Sequence, residues 1–380
     1  MKFTFLFIVY TFLGFQNASA KEDPIAVLNE MIAEISQVNL FYQNKKDILL
    51  ERELQINEEL KKPISIEKKV DLLIEKGEVN STISEISNFQ FLEISKIRYL
   101  KGIQVIRLLY GKILALDHHF AAVSSLHDIN SISNPNSFPE FISAKAEIQN
   151  AQDRRHGFDL TSILGNNVYT SVVHTLVSVF TGTGNSKQEK TRQISNIECI
   201  LDFTLSVHND LNTIYFETAF LKKQNENIKQ DILQLFNDFT QPIKYESGLE
   251  DFRKKDDWDE LRTGLEAYLD ELKDLLKDKT QQDRSRRMRV NLEFPTDRLL
   301  QFISQYNTFI NQGTNFYEKF YIMLDSYEEK GQCASKTPVE YKRLKEGINI
   351  TIEKFNTAYK PIEINGNKLK EVLYGLNEYN

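Results

Sequence analysis

Six histidines, two cysteines and one run of arginines are the residues of this chain best equipped for chemistry. Asp117, His118 and His119 are consecutive, and His127-Asp128 follows. A zinc-binding helix presents two histidines four positions apart on one face, with a carboxylate beside them. Neighbouring histidines leave a helix about 100° apart, so His118 and His119 do not readily share an ion. They read as surface or half-buried residues. His208 has the spacing of Leu201, Leu205, Leu211 and Tyr215, and His174 lies in an uncharged stretch. Both read as core histidines with a satisfied hydrogen bond. The chain has no G-x-S-x-G, no H-E-x-x-H and no G-x-x-x-x-G-K phosphate loop. The expectation is a non-enzyme with no catalytic residue, no metal ligand set and no cofactor.

Arg284-Ser285-Arg286-Arg287, followed by Arg289, is the most specific short signal. It fits the R-x-[KR]-R pattern cut by furin-like proteases of the secretory pathway. With Lys277 and Lys279 it also forms a basic patch able to hold a sulfated glycan or another anionic partner. The plainer reading is a solvated helix terminus whose positive charge the helix dipole favours.

Cys199 and Cys333 are the only cysteines. An even count in an exported chain points to a disulfide. Closing more than 130 residues, such a bridge stabilises by ~5 kcal/mol in the chain-entropy account. An intermolecular bond or two free thiols are the alternatives.

Export itself is read from residues 1–20. Met1-Lys2 supplies a positive charge, an apolar run extends from Phe3 to Phe15, and Ala18-Ser19-Ala20 gives the small-x-small exit before Lys21-Glu22-Asp23. These are the three parts of a cleavable secretory signal, and the apolar run is shorter than the ~20 residues of a bilayer span. Asn80-Ser81-Thr82 and Asn349-Ile350-Thr351 are N-glycosylation sequons, so Asn80 and Asn349 are expected at the surface.

The formal net charge is −7, and Lys2 is the only charge in the leader, so the mature chain would carry −8. Such acidity argues against general nucleic-acid binding, which wants a basic face. The 160–186 stretch has no Asp, Glu, Lys or Arg. Membrane insertion is one reading of it, but Gly165-Asn166-Asn167 interrupts it and too few apolar residues remain for a span. A hairpin buried among helices is the better reading.

Helices position all of these residues. Glycine and proline are scarce, 15 and 8 in 380, which disfavours an all-β chain. Asp23-Pro24 starts a helix whose stripe includes Ile25, Leu28, Ile32, Ile35 and Leu40. A short helix from Ser65 ends near Gly77, and a long one runs from 83 to about 126, its core stripe including Ile86, Phe89, Ile97, Ile103, Ile106, Tyr110, Ile113 and Phe120. A helix from about 187 to 239 buries a wide arc that includes Ile200, Leu201, Phe203, Val207, Ile214 and Tyr215. Residues 241–257 read as a linker. An amphipathic helix from Trp258 precedes the arginines, Pro295 starts an aromatic-rich helix, and Pro338 starts the last helices. The expected fold is all-α: an elongated antiparallel bundle of eight or nine helices. The expected domains are 1–20 (leader), 21–240, a linker at 241–257, and 258–380 packed on the first region.

Ile197-Glu198-Cys199-Ile200-Leu201-Asp202-Phe203-Thr204 and His208-Asn209-Asp210-Leu211-Asn212-Thr213-Ile214-Tyr215, within 157–221, resemble an insect-specific family of secreted helical proteins. That family includes mosquito salivary proteins such as saglin and TRIO. The resemblance covers the middle of the chain and implies an all-helical extracellular protein of saliva or the gut lumen, with no established enzymatic activity. Cys199 would carry over as a family cysteine. The expected function is thus a secreted binding protein with a protein or sulfated-glycan partner, no nucleic acid and no stable membrane anchor. Membrane activity through 160–186, or an enzyme with an unrecognised site, are the rivals.

Overall fold

The computed structural model describes residues 23–124, 141–143, 146, 187–330 and 339–359. The leader at 1–20, His127, His174, the 160–186 stretch and Cys333 lie outside the described residues. Among those described, all regular structure is helical: α1 (Pro24–Leu60), α2 (Ile66–Ser124), α3 (Lys187–Thr240), α4 (Leu249–Lys255), α5 (Trp258–Lys277), a 3₁₀ turn (Lys279–Gln281), α6 (Gln282–Lys330) and α7 (Val339–Ala358). The all-α class expected from the glycine and proline scarcity is what the chain adopts.

The chain forms two compact units, each discontinuous in sequence. One comprises Met1–Leu109, Phe236–Thr296 and Glu363–Asn380; the other comprises Tyr110–Leu235 and Asp297–Ile362. Helices α2, α3 and α6 therefore each contribute residues to both. In the first unit, Asp23 caps α1 through the Ile25 amide, with Pro24 in the first turn. Val27, Leu28, Met31, Ile35, Tyr42 and Ile56 are buried, giving α1 an apolar stripe along one side. That stripe meets α2 running the opposite way. The Tyr42 hydroxyl donates to Glu93 Oε1 (2.9 Å), and Arg52 grips Glu75 with two hydrogen bonds (2.7 and 2.9 Å). Leu40 lies about 160° round α1 from that stripe and is exposed, not in the core. Phe89 is likewise partly exposed, with the Lys273 ammonium 5.3 Å from its ring centre.

Two expected breaks are absent. Gly77 sits inside α2, where the ~1 kcal/mol that glycine costs a helix interior is set against burial of Leu72 and Val79 on either side. Pro295 sits inside α6. Its ring costs the helix about 3 kcal/mol, opposed by the buried run of Leu292, Leu299, Phe302, Ile303 and Tyr306 that spans it. The stretch 241–257 is not a loose linker. Ile243, Tyr245, Leu249 and Phe252 are buried, and Phe252 packs edge-on against Trp258 with ring centres 5.0 Å apart. Nearby, the Tyr99 hydroxyl donates to the Phe239 carbonyl at the end of α3, supplying one of the partners a helix C-terminus lacks.

In the second unit, α3 packs antiparallel to both α2 and α6. Asn225 donates to the Ile113 carbonyl (3.3 Å), and the Tyr327 hydroxyl donates to Asp210. The α3 stripe centres on Val207, Ile214 and Leu221. His208 and Tyr215 sit one residue further on, about 100° round the helix, and both are exposed. Their expected core placement is overturned for that reason. Helix α7 lies against α6 so closely that a Cβ on Gly313 would stand 2.6 Å from Phe355 Cζ.

Two glycines of this unit give opposite expectations. Around Gly347, in α7, a Cβ meets nothing within 4 Å, so Gly347→Ala should raise stability by roughly 0.5–1 kcal/mol. Gly313→Ala should instead lower it by roughly 1–3 kcal/mol, since the buried Phe355 ring has to shift. Thermal or urea unfolding of the two variants measures both signs; a stabilising Gly313→Ala would contradict the packing described.

Candidate functional site

The arginine run lies where α5 turns back into α6. Asp278 ends α5 and accepts hydrogen bonds from the Thr280 amide (2.8 Å) and hydroxyl (2.7 Å), holding the 3₁₀ turn that reverses the chain. These bonds keep the Asp278 carboxyl below its ordinary range. The Tyr268 hydroxyl then donates to the Met288 carbonyl (3.1 Å) across the two helices. Ser285, Met288 and Leu292 face inward and are buried, so helical spacing directs the other side chains of these turns outward.

The four arginines divide by environment. Arg284 is exposed and paired with Glu271 of α5. Arg289 is half-buried: its guanidinium lies 4.5 Å from the Phe91 ring centre and donates to Asn88 Oδ1 (2.6 Å), both on α2. Burial lowers its pKa from the usual arginine value, though guanidinium stays charged. Arg286 and Arg287 are exposed, with no ion pair to another described residue. Lys277 is held by Asp274 (3.0 Å). The expected four-arginine patch thus reduces to two open cations, with Arg284 half-neutralised beside them and Arg289 serving packing.

Their location also reverses the expected electrostatics. The arginines occupy the first two turns of α6, the positive end of the helix dipole, where cations are disfavoured and anions attracted. Only Asp283 supplies negative charge in that first turn. The dipole therefore does not account for the run; it adds to its positive potential. The same placement bears on cleavage, because Ser285 is buried inside a regular helix and that turn would have to open locally for a protease to take an extended chain.

Asn80 and Asn349 are both exposed, on α2 and α7. Cys199 is half-buried on α3 and is not a free thiol. Asn88, Phe91 and Glu271, which meet the arginines of the run, were not singled out by sequence reading. Asn88 and Phe91 lie about 200 positions from Arg289, and no local spacing announces them.

Of the histidines, only His119 and His208 have described side chains. Among the described residues no group of three or more His, Cys, Asp or Glu side chains could hold a metal ion, and no helix is long and apolar enough to cross a membrane. His119 is half-buried among rings, edge-on to Tyr317 (5.6 Å between centres) and Tyr359 (5.9 Å) and tilted on Phe355 (5.4 Å). Burial, and then the nearby Lys354 charge, lower its pKa from 6.5.

No protein-family model, curated protein or solved structure matches this chain.

The depressed His119 pKa has a consequence for stability. Acid protonates the unfolded chain before folded His119, so the contribution is whole above the free-imidazole value of ~6.5 and is lost as pH falls through the lower folded value. The melting temperature of the second unit should therefore drop on acidification below about 6.5. His119→Phe should flatten that part of the profile; an unchanged slope would remove His119 as its source.

Proposed function

We propose that this is a secreted, non-enzymatic binding protein whose helical surface engages a protein or sulfated-glycan partner. The observation that carries the reading is the pair of open guanidinium groups, Arg286 and Arg287, at the positive end of α6 in an otherwise acidic chain. Paired arginine forks suit sulfate and carboxylate oxygens, and the helix end strengthens the attraction. Saliva or the gut lumen is the setting that the resemblance to the insect secreted family implies.

Export by residues 1–20 and glycosylation at Asn80 and Asn349 belong to the same proposal. So does a Cys199–Cys333 bridge within one chain, supported by the absence of a free thiol at Cys199 and the presence of only one other cysteine.

On a heparin column, the secreted protein should be retained and should elute with rising salt. Arg286→Ala with Arg287→Ala should abolish most of that retention. Arg289→Ala should leave retention nearly intact and instead lower the melting temperature, because that side chain packs on Phe91. If retention survives loss of all four arginines, the run is not the glycan site; if the wild type is not retained at all, the glycan partner is excluded and a protein partner remains, which affinity capture from the secreting tissue would identify.

A further inference from the structure

The exposed side of α6 changes from cationic to apolar just beyond Arg286 and Arg287. Val290 is 52 % exposed and Phe294 54 %, whereas Ser285, Met288, Leu292 and Leu299 on the opposite side of the helix are buried. At about 100° per residue, Val290 falls between Arg286 and Arg287 when viewed down the helix axis, and Phe294 lies about 40° from Val290. A rise of ~1.5 Å per residue sets the two apolar side chains about 5 and 11 Å beyond the arginine pair. The other charged residues of 282–294 are Asp283, Arg284, Arg289 and Glu293. Arg284 pairs with Glu271, and Arg289 packs on Phe91 and feels the Glu293 charge. Asp283 lies a turn before the pair, away from Val290. All of these residues belong to one compact unit.

We propose that this strip binds an acidic segment of another protein, its carboxylates on Arg286 and Arg287 and its apolar side chains on Val290 and Phe294. The proposal rests on the arginine pair being the binding site, and it narrows the partner from protein or sulfated glycan to protein. Charge selects the anionic end of the ligand. Two exposed guanidinium forks, in a chain of net −7, take carboxylates bidentately. Hydrocarbon selects the class. A sulfated glycan presents anions but no apolar side chain to cover Val290 and Phe294, whereas a peptide presents both. Spacing agrees: side chains on one side of an extended peptide recur about every 6.6 Å, against about 5–6 Å between successive positions of the strip. An anionic membrane fits less well, because two apolar side chains bury little area and the exposed Asp283 and Glu293 repel it.

Fluorescence anisotropy with two labelled peptides of equal charge tests this: Asp-Ser-Glu-Ser-Leu-Ser-Phe and the control Asp-Ser-Glu-Ser-Ser-Ser-Ser. The mature secreted protein should bind the first about 10-fold or more tightly than the control. Val290→Gln with Phe294→Gln should remove that preference while leaving heparin elution, helical dichroism and melting temperature unchanged, since both side chains are exposed. Arg286→Ala with Arg287→Ala should weaken binding of both peptides about 10-fold or more. Equal affinity for the two peptides, or a preference that survives the two glutamines, overturns the proposal. If heparin elution then still depends on Arg286 and Arg287, the broader reading of the pair stands without it. Peptide binding indifferent to the two arginines overturns both. Binding to phosphatidylserine vesicles that these four substitutions abolish, with no peptide bound, makes the partner a membrane and overturns the proposal as well.

Discussion

Val27, Leu28, Met31, Ile35, Tyr42 and Ile56 give α1 a buried stripe along one side, and a stripe that extends over so many turns is satisfied by a partner running along it. Helix α2 meets that requirement by running antiparallel to α1. The same constraint, repeated, sets α3 against α2 and α6 against both α3 and α7. Each stripe residue withdrawn from water contributes roughly 1.5–3 kcal/mol. Long helices accumulate that benefit over many turns, and this is how α2 and α6 tolerate Gly77 and Pro295 in their interiors.

Polar groups in these interfaces tie one helix to another at defined heights. Tyr99 to the Phe239 carbonyl, Asn225 to the Ile113 carbonyl and Tyr327 to Asp210 each join residues more than a hundred positions apart. Stripes alone would let antiparallel helices slide by a turn with little loss, because apolar contact is not directional. A buried hydroxyl or amide forfeits its hydrogen bond if the register slips. Gly313 adds a steric stop of the same kind, since only a residue without a Cβ lets the Phe355 ring approach α6 so closely.

The surface shows what this scheme leaves over. The α6 arginines stand at a helix end where the dipole opposes them, and two of the four are drawn into the scaffold through Glu271 and Phe91. Val290 and Phe294 continue the exposed side of that helix as apolar side chains. Neither feature is needed to close the helical interfaces, which is why binding is sought in them rather than in the histidines. His119 is enclosed by rings, and His208 stands on the open flank of α3.

Composition and periodicity alone determined the helical class and most of the buried residues, because a repeat of three to four positions is a local property of the backbone; short motifs determined the start of α1 at Asp23-Pro24 and the surface placement of Asn80 and Asn349. The same reading placed Leu40, Tyr215 and His208 in the core. A hydrophobic count tolerates an error of one position, whereas a helix turns about 100° with each residue. Tertiary structure decided that Gly77 and Pro295 do not break their helices, that 241–257 is packed, and that only Arg286 and Arg287 of the basic run remain open. The last of those outcomes depends on side chains distant in sequence, Phe91 beneath Arg289, and no window along the chain contains both.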